Sequence, residues 1–192
     1  GYYYNFECSC IGRLLLGFRK EREHPAHAAP KVMENPEDYD ARAEIMWSGT
    51  LSHNDITGDR SQGDWASHQL EHELGGMFDI AHGAGLAAIW GSWARYVLKQ
   101  NPCRFAQLAV NVLNVPYSFG NDEKTALEGI AAMEDFFRSI GMPTSISDME
   151  IELTDAQIKE LAHKCSFMGR RTIGGFVTLN AADMENIYRM AR

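Results

Sequence analysis

Apolar residues recur at every third or fourth position over much of this chain, which is the period of an amphipathic α-helix. The clearest stretch follows His82 and Gly83 and continues to about Lys99, and its apolar face comprises Leu86, Ile89, Trp90, Trp93 and Val97. A second stretch carries Ala126, Leu127, Ile130, Met133 and Phe137. Both stretches therefore predict helices, and the two tryptophans are interpreted as core residues.

Helix-capping residues divide the rest of the chain into further predicted helices. Asn35 before Pro36 predicts a helix to about His53, and Asp64 predicts one to about Phe78. Further starts are predicted at Asn101–Pro102, at Asn121–Asp122, at a Thr154/Gln157 capping box and at Asn180 with Asp183. Residues 172–178 are the one candidate strand, and two glycines weaken it. The predicted fold is an all-α, multi-helix domain.

Length and charge narrow the class of protein. A chain of 192 residues favours a single domain. We expect that domain to be helical and to comprise residues 31–192, after an atypical segment, residues 1–30. The net charge of −8 and scattered basic residues argue against nucleic acid as a partner. No apolar run reaches the roughly 18–20 residues of a membrane span. We therefore expect no membrane association. The four cysteines are irregularly spaced, and Cys8 and Cys10 are interpreted as free thiols, so a cytoplasmic protein is expected.

Histidines carry the candidate chemistry. His68 and His72 differ by about 40° around a helix, so both imidazoles project from one face. His82 follows a turn that Gly75 and Gly76 loosen, and a reversal of the chain there can return it toward His68. Imidazole is a common ligand of zinc and ferrous iron. The spacing therefore predicts a metal site that needs further ligands from elsewhere.

Two other interpretations of these histidines stay open at this point. The run His68 to His72 also matches the H-x-x-E-H pattern of inverted zinc peptidases, with Glu71 as the general base. That interpretation needs a downstream carboxylate ligand, for which the candidates are Glu134, Glu150 and Glu152. In the other interpretation, the histidines are surface residues of an amphipathic helix and bind no metal.

The longer context resembles one family. Residues 64–74 (DWASHQLEHEL) and 79–87 (DIAHGAGLA) closely resemble the metal-site segment of the iron-containing (group III) alcohol dehydrogenases, on their butanol-dehydrogenase-like branch. The resemblance begins at about Lys31, includes residues 35–47 (NPEDYDARAEIMW) and reaches residues 179–188 (LNAADMENIY). It implies the C-terminal helical domain of such an enzyme.

The resemblance also implies roles for the histidines. His68 and His82 correspond to ligands of a catalytic iron or zinc, and His72 to a residue that contacts the nicotinamide end of NAD or NADP and can relay a proton. The metal of such enzymes acts as a Lewis acid on a small alcohol or aldehyde. A homodimer is a compatible assembly.

Parts of the family pattern are missing from this sequence. No G-x-G-x-x-G phosphate loop and no upstream Asp-x-x-x-His ligand pair is present. The abrupt loss of resemblance before Lys31 motivates the hypothesis of a truncated or frame-shifted gene product. We therefore expect half of a dehydrogenase that is inactive as an isolated chain, with a free-standing helical metal-binding or interaction module as the alternative.

Overall fold

The computed structural model describes residues 25–54 and 63–192, and eight α-helices account for most of them. In chain order the helices are α1 (Pro25–Glu34), α2 (Tyr39–His53), α3 (Ala66–Phe78), α4 (His82–Val97), α5 (Pro102–Val112), α6 (Asp122–Ser139), α7 (Asp155–Cys165) and α8 (Ala181–Ala191). Short 3₁₀ turns lie at Leu98–Gln100 and Ser147–Met149. Within the described ranges, the only β-pairing is an isolated antiparallel bridge between Ile173 and Leu179. The all-α prediction is confirmed, and the candidate strand is reduced to this bridge.

Side chains cap α6, α7 and α8 at the predicted residues, whereas α2 begins later than predicted. Both capping boxes form, one from Thr154 with Gln157 and one from Asn180 with Asp183. Helix α2, however, begins at Tyr39 rather than after Asn35. The Asn35 side chain accepts a hydrogen bond from the backbone N–H of Glu37 (3.2 Å), and Asp38 accepts one from Ala41 (3.0 Å). The local Asn–Pro turn therefore delays the helix until Asp38 can cap it.

Helix α4 lies at the centre of the core. It packs against α3, α6 and α8, while α5 pairs with α6 and α7 with α8. Trp90 and Trp93 are 2% and 1% exposed, so the prediction that they are core residues is confirmed. Helix α8 is joined to α3 by the buried Tyr188 hydroxyl, which donates to the Leu70 carbonyl at 2.7 Å. Helix α3, which carries His68 and His72, is thus fixed by packing against α4 and by this hydrogen bond from α8.

The start of α3 is fixed by a buried carboxylate. Asp64 accepts hydrogen bonds from the backbone N–H groups of Ala66 (2.7 Å), Gly175 (3.1 Å) and Phe176 (2.7 Å). The N-cap residue of α3 is Trp65 rather than the predicted Asp64, but the Asp64 carboxylate holds the N–H of the first helical residue and ties the helix start to a loop more than 100 residues later. Sequence patterns do not reveal that second contact.

The remaining sequence predictions concern the N-terminal segment and membrane association. Cys8 and Cys10 lie outside the described residues, as does most of the atypical 1–30 segment. The described part of that segment begins α1, which runs through residue 31 without a break. No helix in the described ranges is both long and apolar enough to cross a membrane.

Candidate metal centre

The turn between α3 and α4 brings the histidines together. Helix α3 ends at Phe78. The next residue, Asp79, has a left-handed backbone (φ 52°) that reverses the chain, and α4 begins at His82. The ring centroids of His68 and His72 are 6.1 Å apart, and that of His82 lies 5.3 Å from the first and 5.4 Å from the second. The sequence prediction that His82 returns toward His68 is therefore confirmed geometrically.

The three imidazoles differ in exposure. His68 is 5% exposed and its ring meets the edge of Trp65, with centroids 4.8 Å apart. His72 and His82 are exposed, and their rings stack at an interplanar angle of 30°. The cluster thus has a buried floor at His68 and an open side at His72 and His82, where a second molecule or domain can approach.

A buried carboxylate joins the cluster. Glu71 is 2% exposed and its Oε2 is hydrogen-bonded to Nδ1 of His82. Burial raises the pKa of the Glu71 carboxyl, and the neighbouring His82 and His72 oppose that rise. Sequence reasoning considered Glu71 only as a peptidase base. Its position three residues after His68 places it one turn along the same side of α3, which was the available signal.

Two glycines make room for the Glu71 side chain. A Cβ at Gly85 on α4 would lie 2.7 Å from Glu71 Cγ and 2.8 Å from Glu71 Oε1. A Cβ at Gly75 on α3 would lie 3.1 Å from Glu71 Oε1. The carboxylate therefore occupies a cradle that requires glycine at Gly85.

The donor atoms fit a divalent metal. One ligand atom each from Glu71, His72 and His82 lies within 4.8 Å of the other two. The ligands of a tetrahedral ion with bonds of about 2.0–2.2 Å lie about 3.3–3.6 Å apart, so the group closes on one ion with side-chain shifts of up to about 1.5 Å. Imidazole and carboxylate suit both zinc and iron.

This donor group differs from the ligand pair that the resemblance implied. His82 is common to both, whereas among the described residues the close group contains Glu71 and His72 in place of His68. The His68 ring nevertheless lies beside both other rings. In the structure, Glu71 and His82 are hydrogen-bonded to each other and form the donor group with His72. The assignment of His68 as a metal ligand stays a prediction.

The peptidase interpretation finds little support in the geometry. Glu134 forms an ion pair with Arg95, and none of the three proposed downstream carboxylates joins the donor group in the described part of the chain. Glu71, the base in that interpretation, is engaged by His82. Among the residues that the structure describes, the arrangement therefore supplies neither the downstream carboxylate ligand nor the free base that the peptidase interpretation needs.

Known proteins resemble this chain in sequence. A profile of the family described as "Fe-containing alcohol dehydrogenase family, C-terminal" matches residues 25–192. A probable NADH-dependent butanol dehydrogenase 1 of Bacillus subtilis is 37% identical over 84% of this chain and 41% of its own length. The NADPH-dependent aldehyde reductase YqhD of Escherichia coli is 31% identical over 85% of this chain and 41% of its own length. The chain thus spans about two fifths of the length of these curated relatives.

Solved structures give the same placement. The crystal structure of NADH-dependent butanol dehydrogenase A from Thermotoga maritima superposes with a TM-score of 0.80 and 27% identity, covering 99% of this chain and 48% of that one. The aldehyde reductase YqhD from Escherichia coli, in its substrate- and cofactor-free form, also gives 0.80, with 27% identity over 95% of this chain and 50% of that one. The chain belongs to the iron-containing alcohol dehydrogenase family and corresponds to its C-terminal helical domain.

Proposed function

We propose that this chain supplies the metal- and substrate-binding half of an NAD(P)-dependent alcohol dehydrogenase that also reduces aldehydes. The observation that carries the proposal is the convergence of His68, His72 and His82 with Glu71 at the junction of α3 and α4. Relatives named as butanol dehydrogenases and as an aldehyde reductase support a small alcohol or aldehyde as the substrate.

The histidines have separate roles in this proposal. His68, on the buried floor, and His82, at the start of α4, hold a divalent iron or zinc. When bound, the metal supplies a Lewis acid that polarises the oxygen of the alcohol or aldehyde. His72 is exposed and stacks on His82, so it is placed to contact the nicotinamide end of the cofactor and to exchange a proton with solvent.

Turnover in this proposal needs a second half. The 192 residues contain no glycine-rich phosphate loop, and the histidine cluster is open on the side of His72 and His82. A dinucleotide cannot be held in register with the metal unless another element binds its phosphates. We therefore expect the isolated polypeptide to have no dehydrogenase activity.

Complementation tests this proposal. The polypeptide is assayed for metal-dependent NAD(P)H oxidation with butyraldehyde, alone and with the separately produced N-terminal part of the Bacillus subtilis relative. Activity is expected only in the mixture, and His68→Ala or His82→Ala should abolish it. His163→Ala is the matched control, because His163 is exposed on α7 and outside the cluster. Metal-independent turnover, or full activity in the His82→Ala mixture, contradicts the proposal.

A free-standing metal-binding module is the second candidate. It is favoured by the carboxylate and two imidazoles that this chain already brings within 4.8 Å of one another. In that case the polypeptide binds zinc stoichiometrically, and addition of a nucleotide-binding half gives no turnover. Zinc titration of the polypeptide and the complementation assay therefore separate the two candidates.

A further inference from the structure

We propose that Glu71 is a positioning residue for His82: its buried carboxylate holds the imidazole in the Nδ1–H tautomer and so presents Nε2 as the ligand atom. This inference deepens the proposed function and rests on it for the presence of a metal. The observation that carries it is the hydrogen bond between Glu71 Oε2 and His82 Nδ1.

The direction of the hydrogen bond follows from chemistry. An ionised carboxylate only accepts hydrogen bonds, so Nδ1 of His82 must carry the proton. The other ring nitrogen, Nε2, then keeps its lone pair, because a neutral imidazole has one donor and one acceptor nitrogen. A metal ligand whose second nitrogen donates to a carboxylate is held in one tautomer and one ring orientation. Glu71 therefore determines which nitrogen of His82 can bind.

The surroundings show that the Glu71 side chain is held in place. Its exposed fraction is 2%, whereas 49% of the His82 side chain is exposed. A Cβ at Gly85 would overlap Glu71 Cγ, and a Cβ at Gly75 would press on Oε1. A buried carboxylate is costly unless it is paired, and His82 is the partner that the structure provides. The rigid member of the pair is thus Glu71, and the imidazole at the solvent-facing start of α4 is the member that is oriented.

Nitrogen NMR of the histidine rings tests the tautomer directly on the metal-free 192-residue chain. At about pH 8, His82 should show the Nδ1–H pattern in the wild type. Glu71→Met, which keeps the length of the side chain but removes the acceptor, should lose that pattern. Glu71→Gln retains a neutral acceptor and should restore part of it. A Glu71→Met variant with native circular dichroism and the wild-type His82 pattern would overturn the inference.

Zinc titration calorimetry supplies the second readout, with Glu73→Gln as the matched control. Glu73 lies on the same helix, is half-buried and is outside the donor group. Loss of an orienting partner should weaken zinc binding about 10- to 100-fold in Glu71→Met and leave Glu73→Gln unchanged. Equal affinities in Glu71→Met and the wild type would overturn the positioning role.

The NMR and metal-binding experiments separate the failure of this inference from the failure of the proposed function. Absence of metal-dependent turnover in the mixture with the N-terminal part of the Bacillus subtilis relative contradicts the proposed function. If the Nδ1–H pattern of His82 is nevertheless lost in Glu71→Met, the orientation of His82 by Glu71 is supported independently. If zinc binds and the His82 pattern does not respond to Glu71→Met, the ligand assignment stands and the positioning role fails.

Discussion

Replacing Gly85 with alanine should damage the site and the fold together, through a contact that can be read atom by atom. The added Cβ would lie 2.7 Å from Glu71 Cγ, 2.8 Å from Glu71 Oε1 and 2.9 Å from Ile80 Cδ1. Ile80 Cδ1 and the carboxylate oxygen are ends of side chains and can move, but Glu71 Cγ cannot retreat without a change of rotamer. That change breaks the hydrogen bond to His82.

The expected change in unfolding free energy is the balance of two opposing effects. Overpacking a filled site costs about 1–3 kcal/mol, whereas alanine gains up to about 1 kcal/mol over glycine inside a helix. Gly83, two positions earlier on α4, isolates the first effect, because its added Cβ would meet only Met142 Cε at 3.8 Å, an ordinary contact. The difference in unfolding free energy between Gly85→Ala and Gly83→Ala should therefore be about 1–3 kcal/mol.

Thermal unfolding followed by circular dichroism measures this difference. For a protein of this size, each kcal/mol lowers Tm by roughly 2–4 °C. Gly85→Ala should thus melt about 2–12 °C below Gly83→Ala and should lose the Nδ1–H pattern of His82. If Gly85→Ala melts at or above Gly83→Ala with that pattern intact, the cradle argued for Glu71 does not exist.

Three further predictions test how the helices pack. Gly129→Ala should destabilise by about 1–3 kcal/mol in urea unfolding, since its Cβ would lie 3.0 Å from the backbone Cα of Ala109 on α5, while Gly76→Ala, with no heavy atom within 4 Å, should stabilise by up to about 1 kcal/mol. Asp64→Asn should cost about 1–3 kcal/mol by the same measurement, because an amide nitrogen cannot accept the backbone hydrogen bonds that the carboxylate receives. Burial raises the pKa of the Cys165 thiol to about 12, so iodoacetamide at pH 8 should modify the exposed Cys103 and spare Cys165 in the native protein, and peptide mass spectrometry should find Cys165 modified only after unfolding.

The helices were predictable because their signals are local. Capping boxes at Thr154 and Asn180 involve residues three apart, and the apolar face around Trp90 repeats with the helical period. The start of α2 was predicted too early for a local reason as well. Asn35 and Asp38 are both good caps, and the proline after Asn35 favoured a turn that the capping rule alone does not distinguish from a helix start.

The candidate site was only partly predictable, because it depends on contacts between elements. The helical period placed His68 and His72 on one face, and the loosened turn suggested the return of His82. The partner of His82 could not be found in this way. Glu71 is 11 residues from His82, and their contact depends on the left-handed residue Asp79 and on the space left by Gly85.

The hydrogen bond between Glu71 and His82 affects how strongly the chain can bind a metal ion. Counting ligands in the sequence left two histidines and no anionic group, which predicts weak binding because the charge of a divalent cation stays unbalanced in a partly buried pocket. Glu71 places a negative charge against one of those histidines. A carboxylate hydrogen-bonded to the imidazole raises the basicity of that ring and offsets part of the ion's charge. The affinity of the isolated chain therefore depends on Glu71 as well as on the number of histidines that reach the metal.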